Sequence, residues 1–114
     1  MAKQFTHLFP LSMKLTGTVA ASRFTTNLGA QVAAGGNSAG ISRSAGVAGD
    51  MVVVDAAGSA VLESGAAIAA GATLQSDATG RGITWASGAR TAWAMEAATA
   101  AGQFIEVRLL DNAA

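Results

Sequence analysis

The sequence predicts a mainly β protein: a small single-domain β-barrel or tulip-like fold with an extended N-terminal arm and at most short helices. Three observations carry this expectation. Alanine supplies 28 of the hydrophobic residues, leaving only 30 Leu, Ile, Val, Phe, Met or Trp among 114, a thin stock for a helical bundle or an enzyme core. Fourteen glycines recur at turn-like intervals. Two segments, Met51–Val54 and Phe104–Leu110, carry the β-branched and aromatic residues that suit a pleated surface. Alanine also has the best helix propensity, but few stretches run long enough without glycine to use it.

Residues 1–14 are dense in bulky apolar side chains and free of glycine. Pro10 forbids a continuous helix and biases Phe9 towards an extended conformation. The segment reads either as an extended arm or as an edge strand on its own core, and the expected division is an arm over 1–14 and a compact β domain over 15–114. From Leu15, apolar and polar residues alternate to Ser22, which predicts a strand. Gln31–Ala34 is a short apolar run closed by Gly35-Gly36-Asn37-Ser38, a turn cluster. Ile41 opens another short segment. Met51–Val54 is the best strand, and Ser59–Glu63 is its expected hairpin partner. Thr73–Ser76 follows, then Asp77-Ala78-Thr79-Gly80, with Asp first and Gly last as a type I turn prefers. Arg81–Trp85 continues, Ser87-Gly88 turns, and Thr91–Met95 leads to Phe104–Leu110. Glu96–Ala101 has room for one helical turn.

At this length the chain is one domain, folded without much margin. Seven basic and seven acidic residues give no net charge, and the arginines stand singly. A nucleic-acid partner would want a basic patch. Without cysteine there is no disulfide scaffold, thiolate metal site or cysteine nucleophile. No run resembles a signal peptide, and none approaches the ~20 apolar residues of a membrane span.

The chemistry-bearing residues are sparse. His7 is the only histidine and has no nucleophile to serve. Asp50, Asp55 and Asp77 read as turn residues, because Asp accepts backbone hydrogen bonds there; their spacing does not match a calcium loop. Gly35-Gly36 with Gly40 lacks the Lys-Ser/Thr pair and the helix of a phosphate loop. The expectation is therefore no enzyme activity, no cofactor and no metal. Trp85 and Trp93, without basic or polar company in sequence, read as core or interface anchors. With Phe5, Leu8, Phe9, Pro10, Leu11 and Met13 of the arm they make up the candidate interface.

Four blocks then carry a resemblance: 29–36 (GAQVAAGG), 46–54 (GVAGDMVVV), 70–81 (AGATLQSDATGR) and 94–107 (AMEAATAAGQFIEV). Over Gly29 to Leu110 their order and spacing resemble the capsid cement, or decoration, proteins of tailed bacteriophages. The resemblance implies a compact β domain that binds the outer surface of the assembled phage head. It implies the major capsid protein as partner, a homotrimer on the capsid, and synthesis in the host cytoplasm. The charge pattern and the lack of a long apolar run give the further expectation of no nucleic-acid or membrane partner. It brings no catalytic residues. The rival expectation is a virion- or cell-surface β module binding carbohydrate or a host receptor, for which Trp85 and Trp93 are the candidate platform.

Overall fold

The structure, a computed structural model, describes residues 10–113. Nine strands form in chain order: β1 (Pro10–Lys14), β2 (Phe24–Thr25), β3 (Gly40–Ser42), β4 (Met51–Asp55), β5 (Ser59–Glu63), β6 (Thr73–Ser76), β7 (Gly82–Thr84), β8 (Arg90–Ala94) and β9 (Phe104–Ala113). They make two antiparallel sheets, ordered β1-β4-β3-β2 and β5-β9-β8-β6-β7. The described residues hold no helix, so the mainly β expectation stands, and 96–101 is a set of turns rather than a helical turn.

Three expectations change. Residues 10–14, assigned to the arm, form edge strand β1, paired with β4 from Pro10↔Asp55 to Lys14↔Met51. Leu11 and Met13 lean towards the sheet while Pro10, Ser12 and Lys14 are exposed, the alternation of a half-buried edge. Phe5, Leu8 and Phe9 lie outside the described residues. Second, 15–22 is not a strand. Leu15 and Val19 are buried, but between them the chain only bridges, Val19 exchanging both backbone bonds with Gly46 at 2.9 Å. Third, Ser59–Glu63 is a strand but not the hairpin partner of Met51–Asp55. Both sides of β4 are already taken, by β1 and β3, so the chain crosses at Gly58 and β5 pairs β9 in the other sheet.

The two sheets are two copies of one unit, over 10–55 and 59–109. Leu15 N–H bonds to Asp50 C=O as Ser64 N–H does to Gln103 C=O; Gly49 N–H bonds to Leu15 C=O as Gly102 N–H does to Ser64 C=O. Val19 and Gly46 exchange bonds as Ile68 and Ala98 do. Thr16 N–H meets Gly29 C=O where Gly65 N–H meets Gly82 C=O, and Ser22 N–H meets Ser42 C=O where Gly71 N–H meets Ala94 C=O. The turn residues with positive φ correspond too: Ser22 (59°) is the counterpart of Gly71 (84°), and Gly49 (95°) of Gly102 (84°). Ser22 is the one described non-glycine residue held there.

Each repeat curls. In the second, the edge strands meet where Ser64, following β5, bridges Gly82. The inner side of that curl holds Leu62, Leu74, Ala92, Ala94, Ile105 and Val107, and Phe24, Val32 and Ile41 of the first repeat join the same cluster. Leu15, Val19, Val52 and Val54 fill the inside of the first repeat, with Met13 against them. Small alanines let the strands close tightly, and one cluster spans both repeats.

The β6–β7 hairpin shows how a turn is held. Asp77 Oδ1 accepts N–H bonds from Thr79 (2.8 Å) and Arg81 (2.9 Å), and Arg81 Nε reaches Oδ2 at 3.3 Å. Burial pushes the carboxyl up, but the hydrogen bonds from Thr79 and Arg81 and the Arg81 charge outweigh it and hold Asp77 below its ordinary value. Asp77→Ala should cost about 1–2 kcal/mol in urea unfolding. The sign with pH follows from the lowered value: this stability is complete above the ordinary carboxylate range and is lost as pH falls through Asp77's own. The wild type should therefore show a steeper acid loss of stability than Asp77→Ala; parallel curves would count against the account.

Candidate contact face

The outer side of the five-stranded sheet is set by strand register. Ser59 lies opposite Arg108, Arg108 opposite Trp93, and Trp93 opposite Thr73. Trp85 continues this row, its N–H bonded to Thr73 C=O at 2.8 Å. A second row holds Val61, Glu106 and Met95, and a third Glu63 and Phe104. Cross-strand neighbours share a face, so both tryptophans lie on one side of the sheet, opposite the core. Trp93 is 41% exposed, Met95 54% and Phe104 49%, three large apolar side chains on one strand pair.

Local chemistry holds this face in shape. Gln75, almost buried, accepts through Oε1 the N–H groups of Ala86 (2.6 Å) and Ser87 (3.0 Å), fixing the loop after Trp85. Trp85 Nε1–H donates to Gly88 C=O at 3.1 Å. The Arg90 guanidinium lies 4.2 Å from the Trp85 ring centroid and that of Arg108 5.2 Å from Trp93, within the range of cation–π attraction.

The arginines divide sharply. Arg23 pairs with Glu63 at 3.0 Å, Arg43 with buried Asp55 at 2.9 Å, and Arg81 with Asp77 at 3.3 Å. Among the described residues, Arg90 and Arg108 have no carboxylate partner and only their tryptophans. The acids nearby are otherwise engaged: Glu106 Oε2 accepts the Ser59 hydroxyl at 3.3 Å, and Glu96 Oε1 accepts Glu106 N–H at 2.8 Å. Trp, Met, Phe and Arg are the residues enriched where proteins meet.

Of the interface expected from sequence, Trp85 and Trp93 come together on this face. Pro10, Leu11 and Met13 sit on β1 in the other sheet, and Met13 packs on the inner cluster of the first repeat. Sequence reasoning missed Met95, Phe104, Arg90 and Arg108. Period-2 alternation along Phe104-Ile105-Glu106-Val107-Arg108 was the available signal, since it puts 104, 106 and 108 on one side. An open depression of about 620 Å³ includes Val19, Arg23, Gln31 and Val47 in its wall. All three Arg23 guanidinium nitrogens are engaged, by Glu63 and by Thr79 C=O. Among the described residues, no three His, Cys, Asp or Glu gather to hold a metal.

Fold and face together define a small two-repeat β domain that presents an aromatic, arginine-stacked surface. The phage cement protein family model matches residues 10–109, nearly the whole chain, and the chain belongs to that family. No curated protein matches it. Among solved structures it is similar to the head fiber gp8.5 N base in bacteriophage phi29, at 16% identity and a TM-score of 0.73, covering 90% of this chain and 93% of that one. At that identity the likeness is one of fold.

Proposed function

We propose that this chain is a capsid decoration protein that binds the outer surface of the assembled phage head and ties neighbouring major capsid protein subunits together. Its membership of the phage cement family over 10–109 carries this reading. The physics supports it. A thin core gains stability when its surfaces are buried on an assembly, because binding to the folded state shifts folding by mass action. The working unit in this reading is a homotrimer on the head, made in the host cytoplasm. It uses no enzymatic step, cofactor or metal. The carbohydrate reading loses ground, because the guanidinium stacked on each tryptophan occupies a ring face that a sugar would need.

The anchor in this reading is the N-terminal segment. Phe5, Leu8 and Phe9 precede β1, and Pro10, Leu11 and Met13 lie on it. A phenylalanine fully buried on binding is worth ~2 kcal/mol or more. Since residues 10–14 belong to the sheet, the informative deletion is 2–9. The test mixes purified protein with heads assembled without it and measures co-sedimentation and heat resistance. The full chain should bind and raise heat resistance; the deletion variant should keep its melting temperature and bind heads at least ~10-fold more weakly, a factor of about 1.4 kcal/mol. Unchanged affinity would remove the segment as anchor. A full chain that fails to bind would remove the decoration reading.

A further inference from the structure

The open edge of the first sheet carries backbone groups that no described residue uses. β1 is an end strand, so only one of its sides is paired. Asp50 C=O, just before β4, accepts Leu15 N–H from the β1 side, while Val53 C=O accepts Arg43 N–H from the β3 side. Backbone groups alternate sides along an antiparallel strand. Val52 and Val54 therefore also aim at β1, where Met13 and Leu11 lie opposite them, and Ser12 and Lys14 turn their N–H and C=O away from the sheet. The next outward group, Thr16 N–H, is taken by Gly29 C=O at 3.0 Å. Gly29 is seated against Lys14 C=O, where an added Cβ would collide. Ser12 N–H, Ser12 C=O and Lys14 N–H are left without a bond among the described residues. Both residues are exposed, and among the described residues Lys14 has no carboxylate partner.

The internal repeat shows how the matching edge is closed. The counterpart of Lys14 is Glu63 on β5. Glu63 N–H donates to Ser22 C=O at 2.9 Å, and its carboxylate meets the guanidinium of the very next residue, Arg23, at 3.0 Å. The first repeat thus supplies an acceptor carbonyl followed directly by a charge of opposite sign. No described residue does this for Lys14. Its charge is reversed, so its complement is a carbonyl followed by Asp or Glu. A second copy stacked on the first as the repeats stack would bring Gly71 and Ala72, the counterparts of Ser22 and Arg23, and neither is acidic. Residues 1–9 contain no Asp or Glu. Proline and lysine on an edge discourage indiscriminate pairing; a carboxylate in register turns Lys14 from a guard into a contact.

We propose that the β1 edge is a docking site for an extended acidic segment of another protein. The incoming strand bonds to both backbone groups of Ser12 and to Lys14 N–H. An Asp or Glu directly after the carbonyl that meets Lys14 N–H pairs with the Lys14 ammonium. Strand addition takes its affinity from main-chain bonds and its specificity from side chains, and here charge is the specificity element. Met13 stays packed on the inner cluster of the first repeat, so the site forms without repacking. The inference stands apart from the decoration reading and is tested on the free chain.

The test is nuclear magnetic resonance on the isotope-labelled full chain. In the free chain, the Leu11 and Met13 amides should exchange slowly and those of Ser12 and Lys14 fast. The chain is then titrated with a capped peptide, Thr-Val-Thr-Glu-Val-Thr-Val, and with a twin carrying Lys in place of Glu. The glutamate peptide should shift the amide signals of Ser12, Lys14 and their β4 neighbours, and slow exchange at Ser12 and Lys14. The lysine twin should bind roughly 5- to 10-fold more weakly, because a favourable surface pair becomes a repulsive one. Lys14→Glu should reverse that preference. Ser12→Pro removes an outward N–H that the fold does not use, a change tolerated on an edge, and should abolish binding of both peptides. Shifts absent at millimolar peptide, or centred away from β1, overturn the inference. So do Ser12 and Lys14 amides protected as well as Leu11 and Met13 in the free chain, or a folded Ser12→Pro protein that binds like wild type. If Ser12→Pro does not fold, the charge reversal decides, since Lys14→Glu keeps every backbone group: an unaltered preference there overturns the inference.

Discussion

Phe24→Ala should lower stability by about 3–5 kcal/mol, as truncation of a buried aromatic does when the site collapses only in part. Phe24 is the largest fully buried side chain among the described residues, and it belongs to the cluster that joins the two repeats. Its backbone is committed as well: N–H to Gly80 C=O at 2.8 Å, and C=O to Val32 N–H at 3.1 Å. The cavity would therefore open at the joint between repeats. Small domains hold roughly 5–15 kcal/mol in total, so the variant should unfold near room temperature or in little urea. Thr73, the matching residue of the second repeat, is only half-buried; Thr73→Ala should cost under ~0.5 kcal/mol. A Phe24→Ala protein within ~1 kcal/mol of wild type would mean that the repeats do not share a cooperative core.

The contrast between Phe24 and Thr73 shows where the sequence is legible and where it is not. Strands with their own local signal are plain: Met51–Asp55, Thr73–Ser76 and Phe104 onward combine β-branched or aromatic residues with glycine turns. Pairing is not local. Ser59–Glu63 follows Met51–Asp55 through a glycine turn, as a hairpin would, yet its partner is β9. The competition for the two sides of β4 is decided by β1 and β3. At 15–22 the alternation is real but buries only Leu15 and Val19, and the chain between them turns. The repeat hides for a related reason. Val19-Ala20-Ala21-Ser22 and Ile68-Ala69-Ala70-Gly71 can be laid side by side, but residues 26–30 connect Thr25 to Gln31 while the longer 75–83 connects Leu74 to Thr84. Counterparts such as Lys14 and Glu63, or Phe24 and Thr73, differ in charge or size because each repeat faces different surroundings.

The contact face is half legible for the same cause. Tryptophans stand out in a chain this poor in aromatics, so Trp85 and Trp93 could be singled out. Met95 shares the face of Trp93 by simple alternation, but Arg108 reaches Trp93 only through the β8–β9 register, which no local pattern specifies. Whether Arg90 and Arg108 have acid partners depends on pairing as well, since the nearby Glu106 and Glu96 are engaged by the Ser59 hydroxyl and the Glu106 N–H, while Glu63, Asp55 and Asp77 are drawn to Arg23, Arg43 and Arg81.

Gly40→Ala should cost about 3 kcal/mol and lower the melting temperature by roughly 10–15 °C. Gly40 has ordinary φ, so the loss would not come from a conformation reserved for glycine. It would come from space. A Cβ there would run into the backbone carbonyl of Asp55, with Ala56 Cα only 3.0 Å away. Neither atom is the end of a side chain that could rotate aside. Relief would require β3 to move off β4, and the Ile41↔Asp55 and Ser42↔Val54 pairs would stretch with it. The same residue carries the buried carboxylate that grips Arg43 through Nε (3.0 Å) and a terminal nitrogen (2.9 Å), so a shifted Asp55 weakens that pair too. Gly71→Ala is the matched control. Its φ of +84° disfavours alanine, but nothing lies within 4 Å of the added carbon, and the left-handed conformation alone costs about 1–2 kcal/mol. If the clash governs, Gly40→Ala melts clearly below Gly71→Ala, and amide exchange quickens first across β3 and β4. If the two variants melt together, the β3–β4 approach is softer than its geometry implies, and backbone conformation sets the cost at both sites.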